Sequence, residues 1–422
     1  MKRPRPWGGG GEGGGDAHVV ICLDGDAFYA QVLVRSRPEL KGRPVVVAQK
    51  YIVASSSHEA RKLGVPKMTT VDKAMEICPS LVVLDGSDLT PFRSASEDVF
   101  NACRAALAAD CAVERQGLDE VYVDATNAAK RLVADQTLAT GRVELVGQIL
   151  GEGSNVHPLL AAGSQIAREL KSEVVRRVGV TFSAGVAFSR FGAKLATSCN
   201  KPDGLTTLGL ASHNDASEFL SLVSDRPASL VPGLGWARFK ELCNQGVLDK
   251  GATVGDLAHT PPAALAQVLG GDVAHALLEA CAGGTPAAVS QRGAETHAGP
   301  VRESLNRPQQ QVTCELTTLP HPTDMVSLER RTLEVCDRLA ALLADRRDRF
   351  QEFPTTLRVA VRFAPARTRF SKSVRLGPIL SVDKEVRKHA VRLALAIAHE
   401  RCHGKPFRAS CVNVGGVDFE RA

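Results

Sequence analysis

The chain has no CxxC pair, no apolar run of membrane-spanning length and no signal-like segment ahead of its first hydrophobic strand. Its eleven cysteines are scattered singly from Cys22 to Cys411. That pattern speaks against a zinc finger or a disulfide framework and for a reducing compartment. The missing apolar run speaks against a membrane span. His399, Cys402 and His403 have metal-like spacing, but no fourth ligand stands near them, and a structural role is the plainer reading. What is present is substantial: 422 residues, 44% of them hydrophobic, enough for roughly two to four domains with real cores. The net charge of +6 is uneven. Residues 301–422 hold 22 Lys/Arg against 14 Asp/Glu, a net +8 that leaves −2 for the rest. A basic C-terminal region on a slightly acidic body fits a polyanion partner, with a merely solvated basic face as the alternative.

Residues 1–17 are Gly-rich, unable to bury a core, and are expected to be a disordered tail. The cluster Lys2-Arg3-Pro4-Arg5 reads as a weak nuclear signal at most, since so short a cluster is more often meaningless. HVVICL (18–23) reads as a buried strand, and a helix over 27–34 follows it. Strands are expected at 44–48, 51–55 and 81–84, and helices at 58–63, 68–78 and 91–109. Residues 147–157 read as a loop, 160–177 as a helix, 180–188 as a strand and 190–199 as a helix. Pro232-Gly233-Leu234-Gly235 is a tight loop feeding a helix, a good seat for a phosphate, with a plain helix C-cap or turn as the alternative. Residues 283–308 read as a linker. From Gln311 a strand–helix–strand pattern occurs twice, the layout of a small open-faced α/β sheet. Leu357, Val359, Val361 and Phe363 alternate toward a core, and Arg358 and Arg362 toward solvent. Arg367, Arg369, Lys372 and Arg375 follow, with no acidic residue between Thr355 and Leu376. Such a face suits a duplex backbone.

The chemistry is expected where two distant acidic strand ends meet. One is Asp24-Gly25-Asp26 after the first strand; the other is VERQGLDEVYVD (113–124), a hairpin that turns at Gln116-Gly117 and carries Asp119 and Glu120. Neighbours on a regular strand point to opposite faces, so only a bent tip lets Asp119 and Glu120 share one site. An isolated acidic pair is ordinarily a solvated turn. Three converging carboxylates instead require cations, and hard oxygen ligands suit Mg²⁺ or Mn²⁺. Two such ions are a known solution for in-line attack at phosphorus. Arg61 lies a helical turn from His58, and both can meet an anion.

The motifs DGDAFYAQV, EARKLGV, GLDEVYVD, SAGVAFSRFGAKLATSCNKPDG and VPGLG, in this order, resemble the Y-family translesion DNA polymerases, over residues 18 to about 417. QKYIV, CPSLVVLDGSDLT, VERQGLDE and GSQIA resemble the iota branch more than the eta or kappa branches. The resemblance implies an α+β right-hand polymerase. Its palm would be residues 18–28 and 89–206, mixed-sheet and catalytic, with small fingers at 29–88. A helical thumb with a helix-hairpin-helix would span 207–290, a linker 291–308 and an α/β little finger 309–422. It implies low-fidelity template-directed synthesis without proofreading, on primer–template DNA with a dNTP, by a nuclear monomer. Asp24, Asp119 and Glu120 would hold two Mg²⁺ ions, or Mn²⁺, with the Gly25 carbonyl as a further ligand. Tyr29 would be the steric gate, next to Phe28 in the nucleotide site. Ser55, His58, Arg61 and Lys194 would meet the triphosphate. Gln49, Ile52 and Ala54 would roof the templating base, and Gly233 and Gly235 would hold DNA. The chain departs from the family's pattern at His58 (usually Tyr), Ala54 (usually Val), Gly25 (a larger apolar residue) and Leu33 (Glu). No clear clamp-binding peptide or ubiquitin-binding tail is visible for a recruiting partner. A non-catalytic DNA-binding scaffold, a nucleotide cyclase and an eta-like or bacterial-type lesion polymerase are the rival readings.

Overall fold

A computed structural model describes residues 17–140, 142–151, 156–213, 215–283, 311–316, 321–365, 368–377, 379 and 381–421. The Gly-rich tail (save residue 17), the linker over 291–308 and Arg367 lie outside the described residues. The chain forms two compact units, 1–304 and 305–422.

In the first unit the chain enters on β1 (Val20–Gly25) and passes into α1 (Phe28–Val34). The hairpin β2 (Val45–Gln49) and β3 (Ile52–Ser56), the short helices α2 (His58–Lys62) and α3 (Val71–Ile77), and β4 (Val82–Asp85) follow. β2 pairs antiparallel with β3 and parallel with β4. Val46, Val53, Ala60, Ala74 and Leu81 close a small core under this three-stranded sheet. Ser57 starts α2 by accepting the Ala60 N–H, and Thr70 starts α3 by accepting the Lys73 N–H.

Next come α4 (Thr90–Ala106), the hairpin β5 (Ala112–Gln116) and β6 (Glu120–Asp124), α5 (Thr126–Thr140), β7 (Gln148–Leu150), α6 (Pro158–Val178), β8 (Phe182–Ala187), α7 (Arg190–Cys199) and β9 (Leu205–Leu208). The strands build a mixed sheet in the order β5-β6-β1-β8-β9-β7. β1 lies inside it, and its residues 20–23 are almost wholly buried, as an unbroken apolar strand covered on both faces must be. Helices lie on both faces. A Cβ on Gly163 of α6 would stand 2.8 Å from Val186, whereas one on Gly185 would meet the Ala193 carbonyl of α7 at 2.0 Å. Adjacent strand residues face opposite ways, so α6 and α7 cover opposite sides of β8. Five further helices, α8 (Ala216–Val223), α9 (Gly235–Asn244), α10 (Val254–His259), α11 (Pro262–Leu269) and α12 (Gly271–Cys281), end the described part of this unit.

The second unit contains β10 (Gln311–Leu316), α13 (Met325–Phe350), β11 (Glu352–Phe363), β12 (Arg369–Arg375), α14 (Lys384–Cys402) and β13 (Ala409–Arg421). Its antiparallel sheet has the order β10-β13-β11-β12. Leu357, Val359, Val361 and Phe363 are buried and Arg358 is exposed, the alternation read from the sequence.

The architecture is thus mixed α+β. The expected loop over 147–157 is corrected, because residues 148–150 form β7 beside β9. Three residues carry no visible period, and only the distant partner makes them a strand. Helices α5 and α8 and strand β9 were not anticipated. All eleven cysteines are free thiols. Among the described residues no helix is long and apolar enough to cross a membrane.

Candidate active site

The register of the larger sheet brings the two acidic strand ends together. Asp24 of β1 lies directly across from Glu120 of β6, and Cys22 from Tyr122. Alternation places these four side chains on one face, the face that α7 covers. Arg190, Ala193, Lys194 and Thr197 recur at helical spacing on α7 and look onto it. Arg190 is buried, lies 4.2 Å from the Tyr122 ring centre and pairs with Glu114 at 2.6 Å. Thr197 donates its hydroxyl to the Cys22 carbonyl at 3.3 Å.

Asp119 escapes the strand alternation because it sits in the turn ahead of β6, where Gly117 takes a φ of +68°. Its carbonyl accepts the Gly25 N–H at 2.7 Å. A Cβ on Gly25 would stand 2.9 Å from the Phe28 Cβ and 3.3 Å from the Asp119 Cβ. The bare glycine therefore permits the close approach of the hairpin tip to β1. Burial first, and then the Asp24 charge, push the Asp119 carboxyl above its usual range, with Glu120 adding to the rise and Lys194 opposing it.

The lysines answer this crowding. Lys194 bonds Asp24 and also reaches the Glu120 Oε2 at 2.6 Å, and Lys201 bonds the other oxygen of Asp24. Burial draws the Lys194 ammonium down, but Cys22, Asp24 and Glu120 outweigh it and leave it well above the ordinary lysine range. Among the described residues, no group of three or more His, Cys, Asp or Glu side chains is arranged to hold a metal ion as it stands. The donor set nevertheless fits a hard cation: two carboxylates from neighbouring strands share one ammonium, with a third carboxylate beside them. Asp26, next to the cluster, has another task. Only 1% exposed, it accepts the Ser183 hydroxyl at 2.7 Å and the Asp203 N–H at 2.8 Å, so it ties β1 to the turn that carries Lys201.

A second cluster lies on the smaller sheet and α2. The Ser56 hydroxyl, the His58 Nε2 and the Arg61 Nε and Nη2 are buried without a hydrogen-bond partner among the described residues. Burial first, then the Arg61 charge, lower the His58 pKa, with Lys201 adding to that effect and Asp26 and Glu59 opposing it. Lys67 is likewise lowered by burial and by Arg61 and Lys201, while Asp119 and Asp24 raise it, so its ammonium feels both clusters. Ser55 is buried, opposite Val47. Gln49 donates to the Gly86 carbonyl at 3.2 Å, and Ile52 and Ala54 are half-buried on β3. Tyr29 projects from α1 with its ring centre 4.3 Å from that of Phe92. Burial, then Asp119, raise the Tyr29 pKa, which places its hydroxyl within reach of the acidic cluster's field. Phe28 is buried against Phe182.

Gly233, ahead of α9, and Gly235, its first residue, take φ values of +85° and +47°. On the second unit, Arg369 pairs with Glu315 at 2.7 Å and Lys372 with Glu400. That corrects the reading of an acid-free basic face: the neutralising carboxylates arrive from β10 and α14. Sequence reasoning also passed over Lys67 and Lys201. The signal for Lys201 was its place in KPDG, the end of a motif in which only Lys194 was given a role.

Residues 23–198 match the impB/mucB/samB family model. DNA polymerase iota of Homo sapiens is 36% identical over 264 residues, 61% of this chain and 34% of the human protein. DNA polymerase iota of Mus musculus is also 36% identical, over 260 residues, 60% of this chain and 35% of its own length. DNA polymerase IV of Staphylococcus aureus (strain JH9) is 31% identical over 234 residues, 54% of this chain and 55% of its own length. The chain spans about a third of the length of the human and mouse proteins it matches.

Proposed function

We propose that the chain is a low-fidelity translesion DNA polymerase of the iota type that transfers dNMP to a primer 3′-hydroxyl without proofreading. One observation carries this reading: Asp24 and Glu120 face each other across neighbouring strands, with Asp119 brought beside them by the hairpin turn. In this reading the six-stranded sheet and its helices are the palm and the three-stranded sheet the fingers. Helices α8–α12 are the thumb and the second unit is the little finger. Asp24, Asp119, Glu120 and the Gly25 carbonyl would hold two divalent cations, Mg²⁺ or Mn²⁺. When bound, these cations would acidify the attacking hydroxyl and offset charge on the leaving pyrophosphate.

The residues of the chain do the rest. Arg61, with two buried nitrogens that have no partner among the described residues, and His58 form a cradle for the triphosphate. Lys67, Lys194 and Lys201 add positive charge where negative charge develops. Tyr29 closes the floor under the sugar, where a 2′-hydroxyl would collide. Gln49, Ile52 and Ala54 roof the templating base. Gly233 and Gly235, with Arg358, Arg362, Arg367, Arg369, Lys372 and Arg375, serve the DNA backbone. The protein acts as a monomer, and the nuclear location goes with the iota branch rather than with the similarity to a bacterial polymerase IV. A sliding clamp remains the partner to test by pull-down.

Asp119→Ala is expected to abolish primer extension while the dissociation constant for primer–template DNA changes by less than about threefold, as suits a group acting on the phosphates. Full extension by the variant would remove Asp119 from the site. Single-nucleotide insertion opposite template T and template A, with Mg²⁺ and then Mn²⁺, separates an iota-like from a polymerase IV-like site. Very unequal handling of the two templates is the iota result.

A further inference from the structure

The loop ahead of α9 and the first turn of that helix show solvent two large apolar side chains. Leu230, two residues before Pro232, is 47% exposed, and Trp236, the second residue of α9, is 74% exposed. The chain has only two tryptophans, and the other is Trp7 in the tail. Leaving an indole in water forgoes one of the largest burial gains a side chain offers. The ring is also held in place. The Lys240 ammonium, one helical turn on, lies 4.9 Å from its centre, a cation–π pair that leaves most of the ring open. Arg238 leans back the other way and donates to the Gly233 carbonyl at 2.5 Å. Nothing stands within 4 Å of a Cβ built on Gly235, so a partner can approach the turn freely.

A flat apolar plate with a cation at its side is complementary to a chain that alternates apolar and anionic groups. The sugar–phosphate backbone is such a chain, and in a duplex it faces outward while the bases do not. We propose that Trp236 is a docking plate for the backbone of duplex DNA. Its indole packs against the C–H face of a deoxyribose, and Lys240 meets the adjoining phosphate. This rests on the polymerase reading, but it adds a non-ionic contact to a grip otherwise made by charge and backbone N–H groups.

The test uses the full chain with Trp7→Phe, which leaves Trp236 as the single tryptophan, excited at wavelengths that tyrosine does not absorb. Binding to a blunt duplex, a primer–template and a single strand is followed by tryptophan emission and by anisotropy of labelled DNA, over a range of salt. The duplex is expected to change the Trp236 emission. Trp236→Ala should weaken duplex binding about tenfold, the order for one aromatic contact with nucleic acid. Its slope of log Kd against log salt should not change, because no ion is released. Lys240→Met should instead lower that slope by about 1. Trp236→Phe should recover most of the affinity. A duplex Kd within about twofold of the parent for Trp236→Ala overturns the proposal. So does an emission response to single strands alone, which would make the indole a base-stacking platform. Parent protein that binds duplex in this way yet extends no primer would end the polymerase reading and leave the docking plate standing.

Discussion

Lys194 occupies the position of a cation. Its ammonium bridges Asp24 and Glu120, two carboxylates that the sheet register forces together. In the metal-free protein it offsets repulsion that would otherwise strain the junction of β1 and β6. Lys194→Met should therefore destabilise the metal-free protein by about 2 kcal/mol, the size of a charged hydrogen bond with its partners left buried. Added Mg²⁺ should raise the melting temperature of the variant more than that of the parent. An equal rise in both would mean that lysine and divalent ions do not compete for these oxygens. His58 supplies a different residue-scale test. Burial and Arg61 hold its pKa below the ordinary value, so in the empty site near neutral pH it is uncharged. A triphosphate beside it would raise that pKa, so binding takes up a proton and affinity increases as pH falls. The effect fills the window between the lowered free pKa and the raised bound one, with a slope of at most about tenfold per pH unit for a single proton. The KM for dNTP should fall from alkaline to mildly acidic pH in the parent. His58→Phe should keep only the dependence that belongs to the nucleotide itself. Matching profiles for the two proteins would take His58 away from the phosphates.

At the scale of elements, the site depends on where β1 ends. Asp26 anchors that end to Ser183 on β8 and to the backbone of the 201–204 turn, which delivers Lys201 to Asp24. Asp26→Ala leaves the buried Ser183 hydroxyl and the partly buried Asp203 N–H without this acceptor and should cost about 1–3 kcal/mol in denaturant unfolding. Asp26→Asn, which keeps one acceptor, should cost less; no loss in either variant would show the anchor to be idle. The same elements explain what the sequence disclosed. β1 was legible as an unbroken apolar run and β11 as an alternation, because burial on both faces or on one marks the residues themselves. The bent tip was legible from Gly117, which stands where the chain must leave the strand so that Asp119 and Glu120 can meet. The pairing of Asp24 with Glu120 was inferable only from chemistry, since 96 positions separate them in the chain. Lys67 stayed hidden because nothing in its neighbourhood marks a lysine whose charge is felt by carboxylates remote in sequence. β7 stayed hidden because its identity belongs to its partner β9.

For the whole molecule, the charge counted along the chain overstates the charge available to a partner. The second unit carries most of the excess, but Glu315 and Glu400 come from elements remote in sequence to meet Arg369 and Lys372. Lys372 is thus shared between its own carboxylate and any phosphate that approaches β12. Glu400 and its partner are both partly solvent-exposed, so the pair is weak and breakable, in the range of about 0.2–1 kcal/mol. A phosphate competing for Lys372 must first displace Glu400. Glu400→Gln removes that competitor and a local negative charge, so it should tighten duplex binding by about twofold to fivefold at low salt, the pair energy expressed as a ratio. It should also steepen the salt dependence by about one released ion. Lys372→Ala in the same background should return both quantities to or below the parent values. Anisotropy titrations across salt concentrations measure all three proteins. Weaker binding by Glu400→Gln, or a gain that survives Lys372→Ala, would mean that β12 does not face the DNA and that the basic excess of this unit serves another surface.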